Sequence, residues 1–244
     1  ASRFDATQGR SSGVQVNAIT KSGTNTFSGG LSGYFRDDRF NAADFVAGKV
    51  LPYSNQQVST TFGGPIRRDR IHFFANYEYG REPSTYSFDT PYPRFDIDLT
   101  STQRQDMAGT RVDVQLSSSA RLMVRGDLGR EERPIANPDT SSHPSNASGV
   151  KRHNEGVYTT FQKVLSNRTL NEVKFGFNSY TSENDSIVSW PNHPHAAAGH
   201  TLGTPRITLT GFAVGQACAN CPQHFDQNVW SIRDDFTSSF TKWG

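Results

Sequence analysis

The sequence predicts an all-β fold, namely part of an antiparallel transmembrane β-barrel with about eight barrel strands. Runs of about ten residues alternate apolar or small side chains with polar ones, as in strands with one buried face. Short and long connections alternate along the chain, like the periplasmic turns and extracellular loops of outer-membrane barrels. No apolar run approaches the length of a transmembrane helix.

The composition also fits a barrel better than a soluble domain with a large core. Apolar residues make up 34% of the 244 residues and the mean hydropathy is −0.64, which is low for such a domain. The 17 Phe, 8 Tyr and 3 Trp are too many aromatic residues for a disordered chain. A barrel explains both observations, because its lumen and its loops are polar. The net charge of +2, without a basic stripe, argues against a nucleic-acid partner.

Eight runs have the pattern of barrel strands. The third is the clearest, with Ile71, Phe73 and Ala75 opposite His72 and Asn76. In the eighth run Asp234 falls on the apolar face, which leaves its register open. The predicted strands cover 26–36, 57–66, 71–81, 105–116, 121–130, 155–165, 170–181 and 229–241.

The connections between these runs predict the topology. Three of them are tight turns, at 67–70, 117–119 and 166–168. Four are long and rich in Pro, Asn, Ser and His, at 37–56, 82–104, 131–154 and 182–228. Because the two kinds alternate, all short turns are expected on the periplasmic side and all long loops outside.

Aromatic residues near the strand ends predict an interfacial girdle. Aromatic residues also favour strands in general, so ordinary sheet positions are the alternative. The residues concerned are Tyr34, Phe35, Tyr77, Tyr79, Tyr180 and Trp230.

Charged residues on the polar faces are predicted to face the barrel lumen. Both signs occur on neighbouring strands, which favours cross-strand ion pairs as their main role. The residues are Arg36, Arg111, Asp113, Arg125, Asp127, Glu172, Lys174, Arg233 and Asp235.

Two segments resemble a known family. Residues 9–25, GRSSGVQVNAITKSGTN, resemble the end of the plug domain of TonB-dependent outer-membrane receptors, where the last plug strand leads through a TKSGTN corner into the first barrel strand. Residues 62–78, FGGPIRRDRIHFFANYE, are similar to the second hairpin of the Oar-like branch, in which IRDDF, here 232–236, also recurs. The two longer motifs cover about one seventh of the chain.

This resemblance implies a division into the C-terminal end of a plug domain at 1–25 and the N-terminal part of the barrel at 26–244. It also implies the outer membrane of a Gram-negative-type bacterium and energy-coupled uptake of a scarce ligand, such as a carbohydrate or siderophore. The expected partners are outer-membrane lipid, the imported ligand and the TonB complex. Because no signal peptide precedes the first strand, we expect the chain to be a fragment without its coupling segment.

Two other functions stay open at the level of sequence. One is a structural or adhesive Oar-like barrel without transport, and the other is a secreted soluble β protein. Enzyme motifs such as G-x-S-x-G, H-E-x-x-H and a Walker loop are missing, so neither catalysis nor a cofactor is expected.

The longest predicted loop holds the cysteine pair Cys218 and Cys221. A C-x-x-C motif can be a redox pair, half of a zinc site or a short disulfide, and an exported loop favours the disulfide. Histidines in the long loops, with these cysteines, could bind a transition metal, although their spacing is irregular and solvated side chains are favoured. They are His143, His153, His193, His195, His200 and His224.

Carboxylates in the second long loop are candidate calcium ligands. Asp89, Asp96 and Asp98 flank a Pro-rich stretch, and carboxylate oxygens suit Ca²⁺. The glycine and terminal glutamate of an EF-hand are missing, so a solvated loop is favoured.

Overall fold

The computed structural model describes residues 20–46, 48–136, 138–188, 205–216 and 222–239. Alternating side chains over these ranges build strands, and two 3-10 turns lie in the connections at Asp38–Phe40 and Pro93–Phe95. The strands are β1 (Ser28–Asp37), β2 (Ser54–Arg67), β3 (Ile71–Ser87), β4 (Asp98–Ser117), β5 (Ala120–Ala136), β6 (Ser148–Ser166), β7 (Thr169–Ser186), β8 (Ile207–Leu209), β9 (Phe212–Val214) and β10 (Gln223–Ser238).

Eight strands form one antiparallel sheet in the order β1-β2-β3-β4-β5-β6-β7-β10. Each strand pairs with its neighbour along the chain, except that the hairpin of β8 and β9 intervenes before β10. The predicted all-β antiparallel fold with eight barrel strands is therefore confirmed. Residues 1–19, which belong to the predicted end of the plug domain at 1–25, lie outside the described residues.

The three tight turns lie where the sequence predicts them, between β2 and β3, β4 and β5, and β6 and β7. The register shifts at Pro65/Arg67, Gln115/Ser117 and Val164/Ser166 place one irregularity beside each turn. In the first turn Asp69 has a φ of 61°, a left-handed conformation that aspartate tolerates better than most residues. These are the features of short hairpin loops closed by a bulge.

The central strands are longer than predicted, and nearly all of the extra length is at the end of the long connections. β4 has 20 residues and β6 has 19. The loops predicted at 82–104 and 131–154 are therefore wrong in extent, because β3 continues to Ser87 and β6 begins at Ser148. Polar cross-strand pairs continue the ladder there, such as Thr85 with Thr100, whose hydroxyl oxygens are 2.9 Å apart.

The register gives the sheet one apolar and one polar face, since directly paired residues share a face. A typical apolar row crosses the sheet as Phe73, Val112, Val124, Thr159, Phe175 and Ile232. The register also places Asp234 on the apolar face, opposite Val173. Its Oδ1 accepts a hydrogen bond of 2.6 Å from Asn171 Nδ2, close to the turn end of the sheet.

The apolar band ends along a sloping line. From strand to strand its last apolar or aromatic residues are Phe35, Val58, Tyr79, Ala108, Leu128, Val157, Phe177 and Trp230. The cross-strand pairs can be followed from either edge of the sheet to β4. Phe35 of β1 then aligns with Arg104, whereas Trp230 of β10 aligns with Thr110. A drift of about six residues over about seven strand spacings corresponds to a strand tilt of about 31°, near the tilt of membrane barrels.

The height of the band fits a bilayer. Along β4 it runs from Ala108 to Leu116, about 27 Å at about 3.4 Å per residue. The tilt reduces this length to about 23 Å along the membrane normal, close to the apolar belt of outer-membrane barrels. Its side chains are not covered by a second sheet in the described ranges, and Leu31 and Ile232 are 78% and 80% exposed.

The register supports only part of the predicted girdle. Phe35, Tyr79 and Trp230 lie on the upper edge of the apolar band. Tyr34 and Tyr180 lie on the polar face, opposite Gln57 and Asn154, so their placement in a lipid-facing girdle is wrong. The cause is the period of two, since each of these tyrosines is an odd number of residues from the apolar positions of its strand.

Candidate functional site

A cluster of ion pairs surrounds Asp113, which lies on the polar face near the turn end of β4 and is 4% exposed. Arg111 donates to it from Nε at 2.8 Å and from Nη2 at 2.9 Å. Arg121 donates from Nη2 to Asp113 Oδ1 at 2.6 Å. Two guanidinium groups from neighbouring strands thus neutralise one enclosed carboxylate.

The other predicted lumen residues form separate groups on the same face. Arg125 pairs with Asp127 at 2.9 Å. Lys174 lies between Glu172 at 2.5 Å and Asp235 at 3.1 Å, and Asp235 also pairs with Arg233. Arg36 is apart from these groups: its Nε donates to Asn41 and its guanidinium lies 4.8 Å from the centroid of the Tyr53 ring. That this face lines a lumen stays a prediction.

The sequence analysis missed a further ion-pair cluster. Glu131 accepts from Arg133 at 2.5 Å and from Arg152 at 3.0 Å. These residues lie in strands where a loop was predicted. The signal was present, because Arg125, Asp127, Glu131 and Arg133 share the period of two on β5.

The chain enters the first strand along the polar face. Arg111 Nη1 donates to the carbonyl oxygen of Thr20 at 2.7 Å and to its hydroxyl at 2.9 Å. A Cβ at Gly23 would lie 2.1 Å from the carbonyl oxygen of Phe73, so only glycine allows this approach to the sheet. Thr20 and Gly23 therefore lie against the wall of the sheet, while Lys21 and Ser22 between them are exposed.

The corner before β1 is fixed to the first tight turn. Asn25 Nδ2 donates to Asp69 Oδ1 at 2.6 Å, and the backbone N–H of Asp69 donates to Asn25 Oδ1 at 2.8 Å. His72 Nε2 lies 2.8 Å from the same Asn25 oxygen. These contacts place the corner at the turn end of the sheet.

A cavity of about 470 Å³ opens beside this entry segment. Thr20 and Lys21 form one side of it, and the sheet forms the other. The wall combines apolar surface with guanidinium, amide and phenol groups, which suits contact with a ligand or with another part of the chain. Its principal polar residues are Asn76, Arg111, Arg125, Asp127, Arg152 and Asn154.

The opposite end of the sheet carries a cap built from the long connections. Phe212 of the β8–β9 hairpin is 4% exposed and packs on Tyr92 and Phe95 at ring-centroid distances of 4.9 and 5.8 Å. The His143 ring lies edge-on to Phe95 at 4.6 Å. Backbone hydrogen bonds join the connections, from Asp89 N–H to Thr140 at 3.0 Å and from His143 N–H to Ala213 at 2.9 Å.

Polar side chains hold the cap in shape. Asp139 accepts hydrogen bonds from the hydroxyls of Ser141 and Ser142, and these bonds lower the pKa of its carboxyl below the usual value. Asn146 donates from Nδ2 to the carbonyl oxygen of Gln216 at 2.8 Å. Among the described residues, most of the buried apolar side chains lie here and not in the eight-stranded sheet: Phe88, Ala147, Phe212 and Ala213.

The residues that the structure describes do not bring the candidate metal ligands together. Cys218, Cys221, His193, His195 and His200 lie outside those residues. Elsewhere His153 and His224 lie beside Glu155 and Asp226, and His143 packs on aromatic rings. In the described ranges no group of three or more His, Cys, Asp or Glu side chains has the arrangement of a metal site.

The candidate calcium ligands have other contacts. Asp96 Oδ1 accepts from the backbone N–H of Thr90 at 2.8 Å and from the Thr90 hydroxyl at 3.0 Å. Asp98 pairs with Lys49. Asp89 uses its backbone N–H to join two connections of the cap. The carboxylates of Asp96 and Asp98 thus have different partners.

Comparison with known families agrees with this architecture. A family model described as outer membrane beta barrel domain matches residues 19–96 and 92–242, and the chain belongs to that family. The protein is therefore an outer-membrane β-barrel protein, which sets aside the secreted soluble alternative. No curated protein and no solved structure matches the chain. No helix in the described ranges has the length and apolar character needed to cross a bilayer.

Proposed function

We propose that the protein is a TonB-dependent receptor that takes up a scarce ligand across the outer membrane. The observation that carries this proposal is the position of the entry segment. Arg111 holds Thr20 against the polar face, and Asn25 ties the corner to the turn of Asp69. In a plugged barrel the chain must pass from the plug, inside the lumen, into the first strand. An entry segment that lies on the polar face at the turn end of the sheet fits this path.

In this proposal each part of the molecule has a role in uptake. The cap around Phe212 and the neighbouring long connections capture the ligand outside. Residues 1–25 are the end of a plug that blocks the lumen, and the ion pairs of the polar face position that plug. The TonB complex supplies energy by pulling on the plug, and the barrel itself carries out no catalysis.

Uptake measurements test the proposal. We expect deletion of the gene to lower the uptake of the cognate labelled ligand, at limiting concentration, by about tenfold or more, since facilitated entry is lost. A panel of carbohydrates and ferric siderophores identifies that ligand, and the wild-type gene should restore its uptake. An uncoupler of the inner-membrane proton gradient should abolish the same component.

Two outcomes would contradict the proposal. Uptake that persists with the uncoupler would indicate a passive pore. Uptake that is unchanged by the deletion over the whole panel, together with loss of surface attachment, would instead favour a structural or adhesive barrel. A variant of the full-length protein that keeps its export signal but lacks the plug up to residue 25 is a useful control, because an open barrel should become permeable without energy.

A further inference from the structure

A small polar recess lies on the polar face of β2, β3 and β4, toward the end of the sheet that carries the long connections. Its volume is about 190 Å³, and it adjoins the larger cavity through Gln105. Thr20 and Lys21 of the entry segment line the larger cavity and not the recess. The side chains that form the recess are amides and carboxylates: Asn55, Gln57, Glu78, Glu82, Gln103 and Gln105.

Gly80 is the floor of the recess, and the packing of the protein does not require a glycine there. Gln57 pairs with it from β2 and Gln105 pairs with it from β4, in ladders that have no bulge at this point. A Cβ built on Gly80 would meet only Gln105, at 3.8 and 4.0 Å, which is ordinary van der Waals contact. Glycine weakens the interior of a strand, and where no bulge or bend explains it, it marks a place at which a ligand approaches the backbone.

The amides of the recess have free acceptor oxygens. Asn55 donates from Nδ2 to the Tyr53 hydroxyl at 3.2 Å, and Gln57 donates from Nε2 to Glu78 at 2.9 Å. Gln103 likewise donates to a carboxylate of β5 at 3.1 Å. The amide oxygens of these three side chains accept no hydrogen bond from the described part of the chain. A ligand that satisfies them must bring hydrogen-bond donors, such as hydroxyl groups.

The charges in the lining disfavour an anion. The lining holds two carboxylates, those of Glu78 and Glu82, and one guanidinium group, that of Arg81. Arg81 already donates from Nη1 to the carbonyl oxygen of Ser54 at 3.0 Å. A negatively charged ligand would therefore meet more negative than positive charge in the recess.

The cations at the rim of the recess are engaged as well. Arg36 on β1 donates from Nε to Asn41 at 3.2 Å. Arg133 and Arg152, on the strands beyond β4, both pair with Glu131. Each of these guanidinium groups thus has a partner within the protein, which favours an uncharged ligand over an anionic one.

We propose that this recess binds a neutral polyhydroxylated ligand, namely one ring of a carbohydrate. Hydroxyl groups satisfy the free amide oxygens, a single sugar ring fits the volume of about 190 Å³, and Gly80 allows it to approach the backbone. Tyr34, directly opposite Gln57 in the register, adds an exposed aromatic ring beside the recess, and the C–H face of a sugar packs on such rings. This inference rests on the proposed uptake function and selects carbohydrates from its two classes of ligand.

Binding to the purified full-length protein in detergent tests the recess without energy or uptake. The probes are neutral tetrasaccharides of glucose, mannose and galactose, the matching tetrasaccharides of their uronic acids, and ferric siderophores. We expect at least one neutral tetrasaccharide to bind. Its uronic acid counterpart should bind about tenfold more weakly or less, because each unit then carries a carboxylate toward a lining that is itself negative.

Gly80→Val fills the recess and is the principal variant. Valine favours strands and no atom of the protein obstructs a Cβ at this position, so the barrel should form, as heat-modifiable migration in gels would show. The affinity for the tetrasaccharide should fall about tenfold or more. Gly30→Val is the matched control, since Gly30 lies on the polar face of β1 opposite Thr61 and its Cβ would meet only the Thr61 hydroxyl, at 3.6 Å. This control should bind like the wild-type protein.

Asn55→Ala is a second variant that adds no bulk. It removes one free acceptor and should lower the affinity about threefold or more. Should Gly80→Val not form a barrel, this variant decides the question, and unchanged affinity would refute the recess as the binding site.

Four further results would overturn the inference: no binding of any of the neutral tetrasaccharides, equal binding of the uronic acid counterpart, wild-type affinity in Gly80→Val, or equal losses in Gly80→Val and Gly30→Val. Failure of the uptake proposal is distinguishable from these. If the purified protein binds sugar as expected but deletion of the gene leaves uptake unchanged, transport is refuted and the binding site stands. If energy-dependent uptake exists but Gly80→Val keeps its affinity, only the site is refuted.

Discussion

At the scale of the residue, Asp113 shows how the polar face accommodates a buried charge. Its carboxylate is nearly enclosed, and Arg111 and Arg121 reach it from two strands. An enclosed charge is tolerated only when it is paired and hydrogen-bonded, and here both donors are guanidinium groups. Arg111 also holds Thr20, so the same cluster joins the wall of the barrel to the entry segment.

We expect Asp113→Asn to destabilise the barrel by about 1–3 kcal/mol, because two guanidinium groups would face each other without a counter-charge. Guanidinium titration of the full-length protein in lipid vesicles measures this change in the free energy of unfolding. Without the carboxylate, Arg111 should be held less firmly, and its hydrogen bonds to Thr20 should weaken. Protease cleavage near Thr20 should therefore increase.

The matched control for that variant is Asp127→Asn. Asp127 and Arg125 pair on the same face, but their side chains are 30% and 33% exposed. Solvent screens such a pair, so the expected loss is below about 1 kcal/mol. Equal losses in the two variants would contradict the special role of the enclosed carboxylate.

At the scale of the element, the sequence predicts faces better than ends. Side-chain alternation assigned Val112, Arg111 and their neighbours to opposite faces, because the pleat has a period of two. Strand ends were missed because the apolar signal stops at the lipid boundary, while backbone pairing continues through Glu131 and Arg133. Polar strands outside the bilayer have the composition of loops, so composition cannot find their limits.

The cap was also beyond prediction, for a different reason. Its packing joins Tyr92, His143 and Phe212 from three separate connections. These residues lie far apart in the sequence and have no shared period, so only the antiparallel order of the sheet brings them together. The ion pairs of the polar face were easier to foresee, since neighbouring strands supply both partners.

We expect Phe212→Ala to loosen the cap while leaving the sheet intact. Removal of this buried ring costs about 3 kcal/mol locally, because Tyr92 and Phe95 lose their contact. Hydrogen-exchange mass spectrometry should show protection of the amides of Asp89 and His143 falling by about a hundredfold, since each factor of ten corresponds to about 1.4 kcal/mol.

Leu209→Ala is the control for the cap variant. Leu209 pairs with Phe212 across the β8–β9 hairpin but is 48% exposed. Its truncation should therefore leave exchange in the cap near the wild-type rate. Loss of protection in both variants would indicate that the hairpin as a whole, rather than the ring of Phe212, holds the connections together.

At the scale of the whole molecule, the slope of the apolar edge and the height of the band describe one tilted wall in a bilayer. Both follow from the register and from the identity of the residues at the boundary. A soluble β-sandwich would need a second layer over Phe175, Trp230 and Ile232, and the described strands provide none. The lipid bilayer supplies that layer.

Trp230 provides the test of this arrangement. It lies on the apolar face at the upper edge of the band and is 67% exposed. In the full-length protein with the other tryptophans replaced by Phe, we expect lipids brominated in the upper acyl chain to quench its fluorescence strongly. A second variant carries Trp230→Phe and Tyr158→Trp, which places its single tryptophan on the polar face opposite Arg125. This variant should lose most of the quenching, since its tryptophan points away from lipid. Equal quenching at the two positions would mean that both faces meet hydrocarbon, and the barrel wall inferred from this register would then be wrong.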